Sequence, residues 1–236
     1  MPGGRAHCGA PGGRAAVTLP AAHERVLDLL GAEIVAGTHP PGAALTLDGV
    51  RERFAVSRTV AREAMRVLEH LALVTPRRRV GLVVRPRSDW QALDPRVLGW
   101  RLVGPGAASQ QRAVEELRAA VLPAAAGACA RHADTAELDR VGALATTLGA
   151  DDDPDRLLAA HDALLRAVLD AAHNELLAAT APAVLPPHAD RARRAASLAA
   201  PTVRDRHAEL AAAVTARDIA GARAAMSALL TAVDAR

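Results

Sequence analysis

The chain has 236 residues, half of them apolar, which is enough to bury one large or two ordinary cores. Cys8 and Cys129 stand far apart in unlike contexts, which excludes a disulfide framework or a cysteine metal ribbon. No apolar run reaches the roughly 18 residues of a membrane-spanning helix, and no signal-peptide core follows Met1, so a cytoplasmic protein with no membrane partner is expected.

The formal net charge of +3 hides an asymmetry. Residues 1–87 carry 13 arginines against 7 acids, and the remainder carries 16 against 19. Positive charge is therefore gathered in the first third, as phosphate binding requires. All basic side chains are arginine, and Phe54, Trp90 and Trp100 are the only aromatic residues, so the cores must be Leu, Val and Ala on helices.

Residues 1–20 are rich in Gly, Pro and Ala and repeat PGGRA, which predicts a disordered extension; Arg5 and Arg14 make at most a weak basic arm. A first helix over 22–36 turns Val26, Leu27, Leu30 and Ile34 inward, ends at Gly37 and is followed by the Pro40-Pro41-Gly42 turn. Leu47, Val50 and Phe54 give a short second helix. The third, SRTVAREAMRVLEHL over 57–71, has Ser57 as N-cap, a core face of Val60, Ala64, Val67, Leu68 and Leu71, and a cationic face of Arg58, Arg62 and Arg66. Two short helices joined by a tight turn outline a helix-turn-helix, whose second helix enters the major groove by its N-terminal end. Leu73–Thr75 and Leu82–Val84 flank the basic turn Arg77-Arg78-Arg79 with Gly81, a hairpin wing. Residues 21–87 thus read as a winged helix-turn-helix, followed by a linker over 88–108 with a helix start at Asp94-Pro95.

Beyond 108 the pattern is helical throughout, at 110–131, 135–148, 154–172, 174–183, an irregular 186–200 passage, 202–216 and 219–235. Almost every segment is amphipathic. The fold class expected is mainly α, an N-terminal winged helix-turn-helix plus a C-terminal all-α antiparallel bundle over 109–236.

IVAGTHPPGAAL, VSRTVAREAMRVLEHLALV and the RRRVG wing, in that order, resemble the winged helix-turn-helix domain of the GntR family of bacterial transcription regulators. Ala55 and Ala72 depart from it, standing where the family has glycine. VEELRAAVLPAAAGACA, HDALLRAVLDAAHNELL and RHAELAAAVTARDIAGARAAMSALL resemble the FCD effector domain of the FadR-type branch, and LDPRVLGWR resembles the linker of members that control sugar-acid operons. The resemblance implies a homodimeric repressor of a metabolic operon, bound to a short inverted repeat of double-stranded DNA and switched by a small carboxylic acid. It puts base-edge contacts on Arg58 and Arg62, places Ser57 and Thr59 near phosphates, and sets Gly81 at the wing tip. Arg77, Arg78 and Arg79 suit phosphates or the minor groove. Arg66, with Glu63 and Glu69 three residues either side, is equally suited to an intrahelical ion pair.

Many FCD domains hold a divalent metal on one aspartate and three histidines. The resemblance maps two of these onto His161 and His207, but the other two positions hold Leu157 and Leu229, so no metal or other cofactor is expected. His161 and His207 face the bundle interior, either as buried histidines bonded to neighbours or, with Arg118, as effector-binding groups. Arg118 matches a pocket arginine suited to a carboxylate, whereas Leu122 replaces its companion glutamate and makes the pocket more apolar. No HExxH, phosphate-cradling glycine loop or nucleophile elbow is present, so no enzyme is expected. The alternative to a sensing regulator is a dimeric architectural DNA-binding protein with a degenerate bundle.

Overall fold

The computed structural model describes residues 19–150, 152–185 and 191–234. The expected extension, with Arg5, Cys8 and Arg14, lies outside these apart from its last two residues, as does His188.

Helix α1 (Leu19–Ala36) ends where Gly37 turns left-handed, its amide bonded to the Ile34 carbonyl at 3.0 Å. Helix α2 (Leu47–Phe54) is capped by Thr46, and α3 (Arg58–His70) by Ser57, whose hydroxyl accepts from the Val60 amide at 3.3 Å. Ala55 closes α2 at φ 51°, and Ala72 follows α3 at φ 57°, so both alanines adopt the left-handed conformation that glycine takes without strain. Strands β2 (Val74–Arg77) and β3 (Gly81–Val84) form the wing. A two-residue strand that the sequence reading lacked, β1 (Ala44–Leu45), pairs with the other side of β3, giving the antiparallel order β1-β3-β2. Val26, Leu27, Leu30 and Ile34 of α1 meet Ala64 and Leu68 of α3, with Leu73 and Val84 closing the core.

The segment expected as a linker is instead docked on this unit. Helix α4 (Pro95–Val103), capped by Asp94, places Val97 and Trp100 in the same core. The Trp100 ring lies so close over Gly31 of α1 that a Cβ there would sit 2.4 Å from it. The Trp100 indole N–H donates to Asp28 at 3.3 Å, and Arg96 holds Glu24 through two bonds of 2.7 and 3.1 Å.

The remaining helices are α5 (Ala107–His132), α6 (Thr135–Ala150), α7 (Pro154–Asp170), α8 (Glu175–Ala179), α9 (Ala181–Val184), α10 (Arg191–Ala199), α11 (Pro201–Thr215) and α12 (Ile219–Asp234). They enclose a second core of Leu, Val and Ala with Met226 and the free thiol of Cys129. Asp134 and Glu137 cap the start of α6 reciprocally, each accepting the other's amide at 2.8 Å. The single helix expected over 174–183 is split at Thr180 because Pro182 has no amide to continue the ladder. Leu98 of α4, Val114 of α5 and Ala183 of α9 form a small third cluster joining the two units. Among the described residues, no helix is long and apolar enough to cross a membrane.

Candidate nucleic-acid interface and effector site

The first turn of α3 and the wing turn present one exposed cationic surface. Ser57, Arg58, Thr59 and Arg62 are exposed, while Val60, Ala61, Ala64, Met65 and Leu68 fasten the opposite side of α3 to the core. Five other arginines are engaged: Arg51 with Asp48, Arg53 with Glu33, Arg66 with Glu63 at 2.7 Å, Arg85 with Asp89 and Arg96 with Glu24. Arg58, Arg62, Arg77, Arg78 and Arg79 make no side-chain hydrogen bond or ion pair with any described residue, although all five are exposed. These forks are free for phosphate or base edges, whereas Arg66 is held along its own helix.

Gly81 is not at the tip of the wing. Arg78, Arg79 and Val80 make the turn, with Arg79 left-handed at φ 63°, and Gly81 pairs with Arg77 at its base. A Cβ on Gly81 would lie 2.6 Å from the Leu45 carbonyl, so glycine is required for β1 to approach β3. Its role is to shape the wing, with a φ of 112° that side chains resist.

The second site lies inside the bundle, where α5 and α10 both pack on α7 and α12. His161 of α7 and His207 of α11 are fully buried and meet directly, Nδ1 to Nε2 at 2.9 Å, with their rings perpendicular. The His207 Nδ1 atom is 2.8 Å from the Val203 carbonyl, so Nδ1 must carry the proton and Nε2 must accept. His161 therefore donates from Nδ1 and turns its Nε2 lone pair toward the guanidinium of Arg194, 3.4 Å away. Burial holds the His207 pKa down to about 4, with the Val203 carbonyl opposing only weakly, so the ring is neutral near pH 7.

Both histidines are thus committed to protein partners. Leu157 and Leu229, at the other family ligand positions, are buried core residues, and His207 spends its lone pair on His161. Such a donor set does not fit a metal ion of the family type, which needs three or four free ligand atoms. Among the described residues, no group of three His, Cys, Asp or Glu is placed to hold one.

Arg118 of α5 is 2% exposed. Its Nη1 donates to the Val184 carbonyl at 2.9 Å, while its Nε and Nη2 have no partner among the described residues. Those two nitrogens form one edge of the guanidinium, the edge that matches the two oxygens of a carboxylate. Burial, and then repulsion from Arg194, push the Arg118 pKa down to about 10 against weaker attraction from Asp234, Asp162 and Glu115. Arg194, which the sequence reading missed, is anchored by Asp234 at 3.4 Å and by His161, and its Nε also lacks a partner among the described residues. It lay unnoticed in the run RARRAASL, and only its place beside the buried Ala195 and one turn before Leu198 turns it inward.

Two family descriptions match the chain, one over each unit. Residues 22–84 match the description "Bacterial regulatory proteins, gntR family", and residues 113–232, half of the chain, match the FCD domain. The chain belongs to the GntR family. It is a DNA-binding transcriptional regulator, and its bundle is an FCD effector domain. It is 33% identical over 156 residues to the galactonate operon transcriptional repressor of Escherichia coli K12, covering 65% of this chain and 68% of that one. A second relative, the uncharacterized HTH-type transcriptional regulator YieP of the same organism, is 40% identical over 72 residues, 30% of this chain and 31% of that protein. Among solved structures, Listeria monocytogenes Lar shares the fold with a TM-score of 0.59 at 15% identity, over 89% of this chain and 94% of that one.

Proposed function

We propose that this GntR regulator is a homodimeric repressor of a metabolic operon, released from a short inverted repeat when its FCD domain binds a small carboxylic acid without a metal. The observation that carries the reading is the open guanidinium edge of Arg118, two buried donors with no acceptor among the described residues. Leaving such donors unmet costs about 1–3 kcal/mol, which an incoming carboxylate removes. The similarity to a galactonate operon repressor makes a sugar acid the first effector to test.

On DNA, α3 enters the major groove by its first turn. Arg58 and Arg62 read base edges, guanine O6 and N7 being the partners that suit an arginine fork. Ser57 and Thr59 face the flanking phosphates, and Arg77, Arg78 and Arg79 carry the wing to phosphates or the minor groove. The acid shifts this equilibrium only if it binds one spacing of the two readers better than the other, because equal affinity shifts nothing.

The test is a titration of the purified protein against a fragment from immediately upstream of its own gene and a scrambled fragment, over a salt series, with and without galactonate and related acids. Preference for the native fragment that weakens when an acid is added is expected. Equal, salt-sensitive binding to both fragments with no response to any acid sinks the sensing reading and favours the architectural alternative.

A further inference from the structure

We propose that Arg194 is a second effector-binding residue, forming with Arg118 a two-arginine, metal-independent site for a 2-hydroxy carboxylate. This rests on the reading of the bundle as an acid sensor and specifies its ligand.

In this part of the bundle three buried guanidinium nitrogens, Arg118 Nε and Nη2 and Arg194 Nε, have no acceptor among the described residues. The first two are parallel donors for the two carboxylate oxygens, and the third is one further donor from a different helix. A 2-hydroxy acid offers three acceptor oxygens, two on the carboxylate and one on the adjacent carbon, one for each of these donors. A simple carboxylate leaves one donor unmet.

Both arginines are already held in place. Arg118 is fixed through Nη1 by the Val184 carbonyl. Arg194 is fixed through Nη1 by Asp234 and through Nη2 by His161, whose lone pair is aimed there by the chain from the Val203 carbonyl through His207. Each arginine thus spends its anchoring atoms on the protein and keeps Nε unspent. The two guanidiniums repel each other through the interior, and Asp162, Asp234 and Glu115, the acids nearest both, do not offset burial at either. An anion between them relieves that repulsion. Leu157 and Leu229 leave this region without metal ligands at those positions, and Arg194 supplies a positive charge there.

The experiment is calorimetric titration of the full chain, in chelator and again with added Zn²⁺, with galactonate, gluconate, glycerate and lactate and with the 2-deoxy counterpart of each. The parent protein should bind at least one 2-hydroxy acid about tenfold or more tightly than its 2-deoxy partner, with the same affinity in both buffers. In Arg194→Met the preference for the 2-hydroxyl should vanish while weaker binding of both acids persists, and in Arg118→Met both should be lost. Should Arg194→Met fail to fold, Arg194→Lys, which keeps the charge and loses the Nε donor, should show the same loss of preference. Survival of the preference in a folded Arg194 variant overturns the assignment, and so does a requirement for Zn²⁺. Binding of deoxy and hydroxy acids alike to the parent overturns the ligand class but leaves acid sensing intact. Binding of no acid overturns both.

Discussion

Replacing Ala55 and Ala72 by glycine should stabilise the DNA-reading unit. Both residues are left-handed, at φ 51° and φ 57°, one ahead of α3 and the other behind it. The left-handed conformation costs an L-residue roughly 1–2 kcal/mol. Glycine removes that cost but gives back about 0.4–1 kcal/mol through the greater freedom of the unfolded chain. The net gain is about 0.5–1 kcal/mol per site. The 13 residues of α3 separate the two sites by about 20 Å, so the gains should add to about 1–2 kcal/mol in the double variant. Urea titration followed by circular dichroism should show the midpoint rising in each single variant and further in the double, with the slope unchanged. Thermal melting should rise by about 2–4 °C per kcal/mol if the whole chain melts together. A midpoint that falls or stays put in either single variant refutes the reasoning, since it means the left-handed alanines store no strain.

Arg58→Ala should relax operator preference, costing about 1–3 kcal/mol on the native site and little on scrambled DNA, as read by competition binding. Arg78→Ala should instead weaken both fragments evenly and reduce the salt slope by about one; the reverse pattern would exchange their roles. Stability should decline as pH falls from about 6.5 to about 4, because the unfolded chain takes up a proton on His207 before the folded protein does. The loss from this one group is on the order of 3 kcal/mol, and His207→Gln should flatten the pH dependence of the urea midpoint between those limits. Gly31→Ala, ordinarily a gain of about 1 kcal/mol inside a helix, should here cost about 1–3 kcal/mol because its methyl meets Trp100; a rise in melting temperature would contradict that packing.

The parts of the fold governed by local chemistry were legible in the sequence. Ser57 and Asp94 cap helices, and Gly37 ends one, because each signal acts over only a few residues. The two residues of β1 carry no periodicity, and only the close approach permitted by Gly81 creates the strand. Pro182 was visible, yet a proline near a helix start and one inside a helix look alike until the preceding turn is known. The candidate effector site was half legible: Arg118 was singled out by the family resemblance, and His161 and His207 by that resemblance and by their place on apolar faces. Their connections were not, because the bond between the histidines joins residues 46 positions apart and Arg194 lies in an arginine-rich run that reads as solvated.

Helix α4 is tied to α1 by the Arg96 fork, by the Trp100 indole and by a ring laid over Gly31. Mechanically it is an arm of the DNA reader, and a clamped arm transmits rotation without bending. The first joint after it is Gly104-Pro105-Gly106, where Pro105 and Gly106 are exposed and Gly106 is left-handed at φ 85°. Any swing of the DNA-reading unit against the bundle would therefore pivot at this joint. Leu98 on the arm packs against Val114 and Ala183, the latter next to the Val184 carbonyl that anchors Arg118, so such a swing would have to move Leu98 across this cluster.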